Sequence, residues 1–112
     1  SYKTGEYIGE IVEFSPSGKA AVKILAVVKH PTQGDLHNPM DPDVPFFHER
    51  RALSHQEIAL MSSHTITSYS GTIPEYGVSL KQALEREIEQ WDRTRRFAER
   101  CLAELEKLKK EY

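Results

Sequence analysis

The run Lys19–Lys29 constrains this chain most, because it is apolar on both of its alternating sets. Ala20, Val22, Ile24, Ala26 and Val28 form one set, and Ala21, Leu25 and Val27 the other. Successive side chains of a strand point to opposite faces, so a strand of this composition needs cover on both sides. It is expected to be central in its sheet. Turn chemistry sets its limits. Ahead of it, Tyr7-Ile8-Gly9-Glu10-Ile11-Val12-Glu13-Phe14 mixes β-branched and aromatic residues. Ser15-Pro16-Ser17-Gly18 then offers a proline with preset φ and a glycine able to take positive φ, which predicts a hairpin. Behind it, His30-Pro31 ends the strand, since proline has no amide hydrogen to give to a ladder.

Residues 30–45 carry Pro31, Pro39, Pro42 and Pro45 together with Gly34, Asp35, Asp41 and Asp43. A structureless loop of this length exceeds the usual limit of about 12–15 residues, and such loops are generally functional or disordered. The prolines restrict the chain, which predicts an ordered excursion that presents a surface. Extended structure is expected to resume as a strand from about Phe46 to Ser54, with Phe47 and Leu53 on one set and Phe46 and Ala52 on the other. Ile58-Ala59-Leu60-Met61 predicts a further short strand, and Ser62 to Tyr69 a turn or one short helix closed by Gly71.

Thr72-Ile73-Pro74-Glu75-Tyr76-Gly77 reads as a linker, and Ser79 with Gln82 three places on reads as a capping box that starts a helix. Leu80, Leu84, Ile88 and Trp91 recur at spacings of four, four and three, and Ala98, Leu102, Leu105, Leu108 and Tyr112 take up the phase again. The stripe weakens across Asp92-Arg93-Thr94-Arg95-Arg96. Either one long helix runs through, or Thr94 caps a second helix that folds back. Helices depend on packing an amphipathic face, so the stripe is expected to be buried on the β unit, on itself or on a partner, with a homodimer as one outcome. The expected organisation is α+β: an antiparallel β domain over residues 1–71, a linker over 72–78 and a helical tail over 79–112.

Charge narrows the function classes. The formal net charge is −2 and the pI about 6.2; residues 79–112 hold 9 of the 15 basic and 8 of the 17 acidic residues, leaving +1 there and −3 elsewhere. Nucleic-acid binders usually present a basic face and a pI above about 9, so no nucleic-acid partner is expected. The lone Cys101 cannot form an internal disulfide, which points to a reducing, cytoplasmic setting. No apolar run approaches the roughly 18 residues of a membrane span, and the opening residues lack the apolar stretch of a signal peptide, so no direct membrane anchor is expected.

The residues able to carry chemistry are few. His30, Asp35, His37, His48 and Glu49 combine imidazole and carboxylate in a Pro-rich loop, the types that hold a divalent ion, although their spacing matches no metal signature. The plainer reading is that they pin the loop by hydrogen bonds, with Asp35 and Asn38 capping turns. Ser62, Ser63 and His64 are adjacent in sequence but no nucleophile elbow surrounds them, Cys101 reads as a small residue at the stripe's edge, and no glycine-rich phosphate loop exists. No catalytic residue, metal or cofactor is expected. Glu49-Arg50-Arg51 beside Phe46-Phe47 gathers the residue types that interfaces favour. The expected partner-binding set is His30, Gln33, Asp35, His37, Phe46, His48, Glu49, Arg50 and Arg51. Two rivals are a metal-dependent hydrolase using His30, Asp35, His37 and His48, and an RNA-binding module built on the β unit.

Val27-Val28-Lys29-His30-Pro31-Thr32-Gln33-Gly34-Asp35-Leu36-His37-Asn38-Pro39 and Val44-Pro45-Phe46-Phe47-His48-Glu49-Arg50-Arg51-Ala52-Leu53 resemble the kinase-associated protein B family of Bacillus-type bacteria. Tyr2-Lys3-Thr4-Gly5 with Tyr7-Ile8-Gly9-Glu10, Gly71-x-Ile73-Pro74-x-Tyr76, and Leu108-Lys109-Lys110-Glu111-Tyr112 extend the resemblance over nearly the whole chain. It implies an SH3-like antiparallel β unit, a small barrel, with a helical extension. It also implies an accessory role with a membrane sensor histidine kinase that feeds the sporulation phosphorelay, and no catalytic residues. Some members are labelled lipoproteins; lipid attachment needs a cysteine after an N-terminal signal, and the cysteine of this sequence is Cys101.

Overall fold

A computed structural model of the chain describes residues 4–112, so Tyr2 and Lys3 of the front block lie outside the described residues. Strand β1 (Glu6–Phe14) turns through Ser15–Gly18 into β2 (Lys19–Lys29), which pairs on its other side with β3 (Ile58–Ser62). Both pairings are antiparallel and the order is β1-β2-β3, so β2 is central as its two apolar sets require. The turn closes with Ser15 N–H donating to Lys19 O (2.7 Å) and Gly18 N–H to Ser15 O (3.2 Å), with Gly18 at φ +81°. Three register shifts interrupt the β1-β2 ladder. Beside one of them, a Cβ on Gly9 would lie 2.4 Å from Val22 Cγ1 and 2.8 Å from Lys23 O, so this close approach of β1 to β2 admits only glycine.

Ala20, Val22, Ile24, Ala59 and Met61 form the core, with Tyr7, Leu53, Ile66 and Tyr76 packed against it. A 3₁₀ turn (Ser63–Thr65) follows β3, and a single helix, α1 (Tyr76–Glu111), ends the chain. At 1.5 Å per residue its 36 residues run about 54 Å. The longest dimension of the molecule is 63 Å, so the helix sets its length. Of the two tail arrangements the sequence allows, the uninterrupted helix is the one formed. Thr94 Oγ1 donates to Gln90 O one turn back (3.0 Å), which continues a helix and does not cap a new one.

Two expected element boundaries fail. The helix starts at Tyr76, within the expected linker, because Glu75 acts as N-cap and its carboxylate accepts from Gly77 N–H and Val78 N–H, both at 2.9 Å. Ser79 is 3% exposed and sits inside the helix. Its hydroxyl donates to Tyr76 O (2.8 Å) and accepts from Val27 N–H of β2 (3.0 Å), a tertiary role instead of a cap. The second failure is the strand expected from about Phe46 to Ser54. That segment forms no ladder, and side chains occupy the backbone groups of Arg50, Leu53 and Ser54. The Gln33 amide takes both Arg50 N–H (2.7 Å) and Arg50 O (2.9 Å). Leu53 N–H donates to the Tyr7 hydroxyl (3.1 Å), and Leu53 O accepts from the Tyr76 hydroxyl. Backbone groups need partners, and partners supplied by side chains leave none for a neighbouring strand.

Of the three expected coverings for the stripe of α1, neither the β unit nor the helix itself supplies one beyond the first turns. The helix packs on β2 through Ser79 and Ala83, 2% exposed, and Arg86 donates to Val28 O (2.9 Å). Beyond Ala83 none of its residues is buried: Ile88 and Leu105 are each 61% exposed. The sheet is too short to cover a helix of this length. Only its first turns reach the sheet, through Tyr76, Ser79 and Ala83, and the large residues beyond Ala83 face outward.

Candidate functional site

The Pro-rich excursion is ordered by hydrogen bonds along most of its length. Asp35 Oδ1 accepts from His37 N–H (2.9 Å) and Oδ2 from Asn38 Nδ2 (3.0 Å), while Asn38 N–H donates to Asp35 O (3.1 Å). Those two donors, Asn38 first, hold the Asp35 carboxyl below the usual carboxylate range. Asp41 Oδ1 accepts from Asp43 N–H (2.9 Å) in a second turn of the same kind. Gly34, at φ +96°, donates to His48 O (2.9 Å), and the Phe47 ring lies where a Cβ would stand, 3.1 Å away. The Arg50 guanidinium reaches back to the carbonyls of Thr32 and Gly34. Gln33 and Arg50 therefore clasp the two ends of the excursion against each other.

Between this clasped segment and the first turns of α1 runs an open groove of about 740 Å³. His30, Glu49 and Arg51 form its polar side, and Leu80, Leu84, Ile88 and Trp91 its apolar side. Trp91, 40% exposed, donates its indole N–H to Glu87 Oε1 (3.0 Å), which fixes the ring along the helix. Arg51 meets Glu49 at 3.4 Å with both side chains open to solvent, so the pair adds little energy and both charges remain available. At the groove's floor, Tyr76 stacks on His55 with centroids 5.2 Å apart. Burial, then the nearby Tyr7 and Glu57, push its phenol above the ordinary value, so it stays a neutral donor to Leu53 O.

The nine expected site residues thus divide. His30, Gln33, Glu49, Arg50 and Arg51 line the groove, although Gln33 and Arg50 spend their polar atoms on the clasp. Asp35 and His37 belong to a turn away from it, and Phe46 and His48 stack on each other at 6.3 Å between centroids, with Phe46 73% exposed. The metal cluster is not assembled: among the described residues no group of three or more His, Cys, Asp or Glu side chains converges. His30 Nδ1 donates instead to Pro31 O (3.0 Å), and both Asp35 oxygens are engaged. Ser62 Oγ and His64 Nδ1 share a hydrogen bond of 2.8 Å, an exposed local pair, and among the described residues no carboxylate bonds that ring to orient it as a base. The stripe Leu80, Leu84, Ile88 and Trp91 is legible in the sequence, but its place opposite Glu49 and Arg51 is not. Tyr76 was hidden in the expected linker.

Fold and groove define a class of protein: α+β, with a three-stranded antiparallel sheet, a long C-terminal helix and an extended segment held beside that helix. Residues 2–112 match the family described as "Kinase associated protein B", and the chain belongs to that family. It is 43% identical over 118 aligned positions to the kinase-associated lipoprotein B of Bacillus subtilis (strain 168), an alignment spanning 99% of this chain and 87% of that protein. It is also similar to the X-ray crystal structure of kinase-associated protein B from Bacillus cereus. The TM-score is 0.69 at 42% identity, over 82% of this chain and 70% of that one. Among the described residues no helix is long and apolar enough to cross a membrane.

Proposed function

We propose that this chain is a non-catalytic accessory factor that binds and modulates a membrane sensor histidine kinase feeding the sporulation phosphorelay, and that it acts in the cytoplasm, held at the inner face of the membrane by its partner. The observation that carries the reading is the groove, where paired charges on one wall face half-buried Leu80 and the exposed Leu84, Ile88 and Trp91 on the other. Interfaces concentrate their energy in aromatic and Arg anchors surrounded by polar rim, and Trp91 with Arg51 and Glu49 has that composition. The names of its relatives, which call them kinase-associated, supply the partner class.

In this reading His30, Glu49, Arg51 and Trp91 contact the kinase, Gln33 and Arg50 hold the groove's polar wall in place, and Phe46 with His48 forms a separate exposed pair. The test measures binding of the purified chain to the kinase's cytoplasmic region, and the kinase's autophosphorylation rate with and without it. Trp91→Ala and Arg51→Glu are expected to weaken binding about tenfold or more each, the range of an interface anchor, without lowering Tm. Phe46→Ala is expected to leave binding intact. Absence of binding by the parent chain, or loss on Phe46→Ala with none on Trp91→Ala, refutes the assignment.

A further inference from the structure

The exposed stripe of α1 has a seven-residue register. Leu84, Ile88, Trp91, Arg95, Ala98, Leu102 and Leu105 alternate at steps of four and three, the seam of a helix that packs along another helix. In that register one flank of the seam is Glu85, Asp92, Glu99 and Glu106, acidic at each turn of the repeat, while Arg86, Arg93, Arg100 and Lys107 lie on the far side of the helix. Arg95, which falls in the seam, turns its guanidinium onto Asp92 and Glu99 (3.4 Å to the latter) and so divides the apolar surface into two patches, Leu84–Trp91 and Ala98–Leu105. Among the described residues Glu85 and Glu106 make no ion pair. The apolar surface continues directly from the groove, whose helix wall ends at Trp91.

Charge decides what covers this seam. A second copy laid antiparallel sets the acidic flank against itself. Laid parallel, it sets that flank against Glu87, Thr94, Cys101 and Leu108, none of them basic. An anionic lipid surface would meet the same carboxylates at the seam's edge and be repelled. We infer that the exposed seam of α1, from Leu84 to Leu105, docks an amphipathic helix of a partner protein whose apolar face is edged by Lys or Arg. The inference rests on the reading of this protein as a binding factor and adds the chemistry of what it binds. Attraction along the flank sets orientation and register, and the two apolar patches supply the contact.

Trp91, the one tryptophan of the chain, sits on the seam and reports its occupancy. The full chain is titrated with two synthetic amphipathic helical peptides that lack Trp and share a Leu/Ile seam, one flanked by Lys and one by Glu. The Lys-flanked peptide is expected to shift the Trp91 emission to the blue, and the Glu-flanked one to bind about tenfold more weakly or worse, the gap narrowing as salt rises. Glu85→Lys with Glu106→Lys, which leaves the ion pairs of Asp92 and Glu99 intact, is expected to keep the parent Tm and reverse the preference. Equal binding of both peptides, binding of neither, or sedimentation of the chain alone as a dimer through this seam overturns the inference. The kinase reading fails separately. If the kinase region binds the parent and the Glu85→Lys, Glu106→Lys variant alike, the docking inference falls and the kinase reading stands; if the Lys-flanked peptide binds and the kinase region does not, the reverse holds.

Discussion

Replacing Gln33 by Ala tests whether a side chain stands in for a missing strand. The amide makes three hydrogen bonds: it accepts from Arg50 N–H at 2.7 Å and donates to Arg50 O at 2.9 Å and Pro31 O at 3.1 Å. Each bond contributes about 0.5–1.5 kcal/mol net, and Gln33 is half-buried, so water partly replaces what is lost and the low end applies. The total is about 2 kcal/mol, which for a chain of this size lowers Tm by about 8–15 °C if the clasp opens only with global unfolding. If the segment opens by itself, Tm moves less and the Arg50 and Gly34 amides, otherwise protected, exchange faster. Gln33→Glu keeps the acceptor for Arg50 N–H but aims a carboxylate oxygen at the carbonyls of Pro31 and Arg50, and is expected to be at least as damaging. The assay is thermal melting beside amide hydrogen exchange. A Gln33→Ala variant with parent Tm and parent exchange at Arg50 refutes the reasoning.

Three further outcomes follow from the geometry. Leu105→Ala is expected to leave Tm within about 2 °C of the parent, because a side chain 61% exposed gives up little burial; a larger fall in a melting experiment places it in a contact of the monomer. Gly9→Ala is expected to cost about 1–3 kcal/mol in denaturant unfolding, since its Cβ would press on Val22 Cγ1 and Lys23 O, and a neutral result denies the close approach. The raised Tyr76 phenol makes stability complete below the ordinary tyrosine value of 10.0 and lost as pH rises from there through the folded value; melting curves taken across that range should show a smaller alkaline loss in Tyr76→Phe than in the parent.

What the sequence discloses and what it hides divide along contact distance. The hairpin and β2 are local: Pro16 and Gly18 build the turn, Pro31 ends the strand, and two apolar sets demand the central place that β2 takes. The continuity of α1 is left open by the sequence, since Asp92–Arg96 interrupts the stripe and Thr94 could cap a second helix; it is decided in the structure, where Thr94 Oγ1 bonds Gln90 O and the helix runs through. The start of α1 was not legible, because Ser79 and Gln82 match a cap in spacing while the Ser79 hydroxyl answers to Val27, 52 residues away. Residues 46–54 have a strand's alternation, yet Leu53 is held by Tyr7, 46 residues before it, and by Tyr76, 23 after it. No window of neighbouring residues contains that information. The candidate site divides likewise: the composition of Phe46–Arg51 marks a surface, but only the clasp by Gln33 determines that Glu49 and Arg51 face α1 while Phe46 faces away with His48.

The same clasp explains how one short chain presents two surfaces that act together. A ladder along residues 46–54 would satisfy backbone groups in sequence order and place alternate side chains on two faces of a sheet. Side-chain partners at Arg50 and Leu53 leave the backbone between them to run beside the helix, with Arg51 and Ala52 lining the groove. On the helix side, small residues do the packing: Ser79 and Ala83 let α1 lie close on β2. The large residues that follow Ala83, namely Leu84, Ile88 and Trp91, are then displaced from the core and left along the opening. A bulky residue at position 83 would lift the helix from the sheet and widen the groove without touching any residue that lines it. Burial of small side chains and exposure of large ones, the reverse of the usual arrangement in a core helix, is the physical basis for reading this face of α1 as a binding surface.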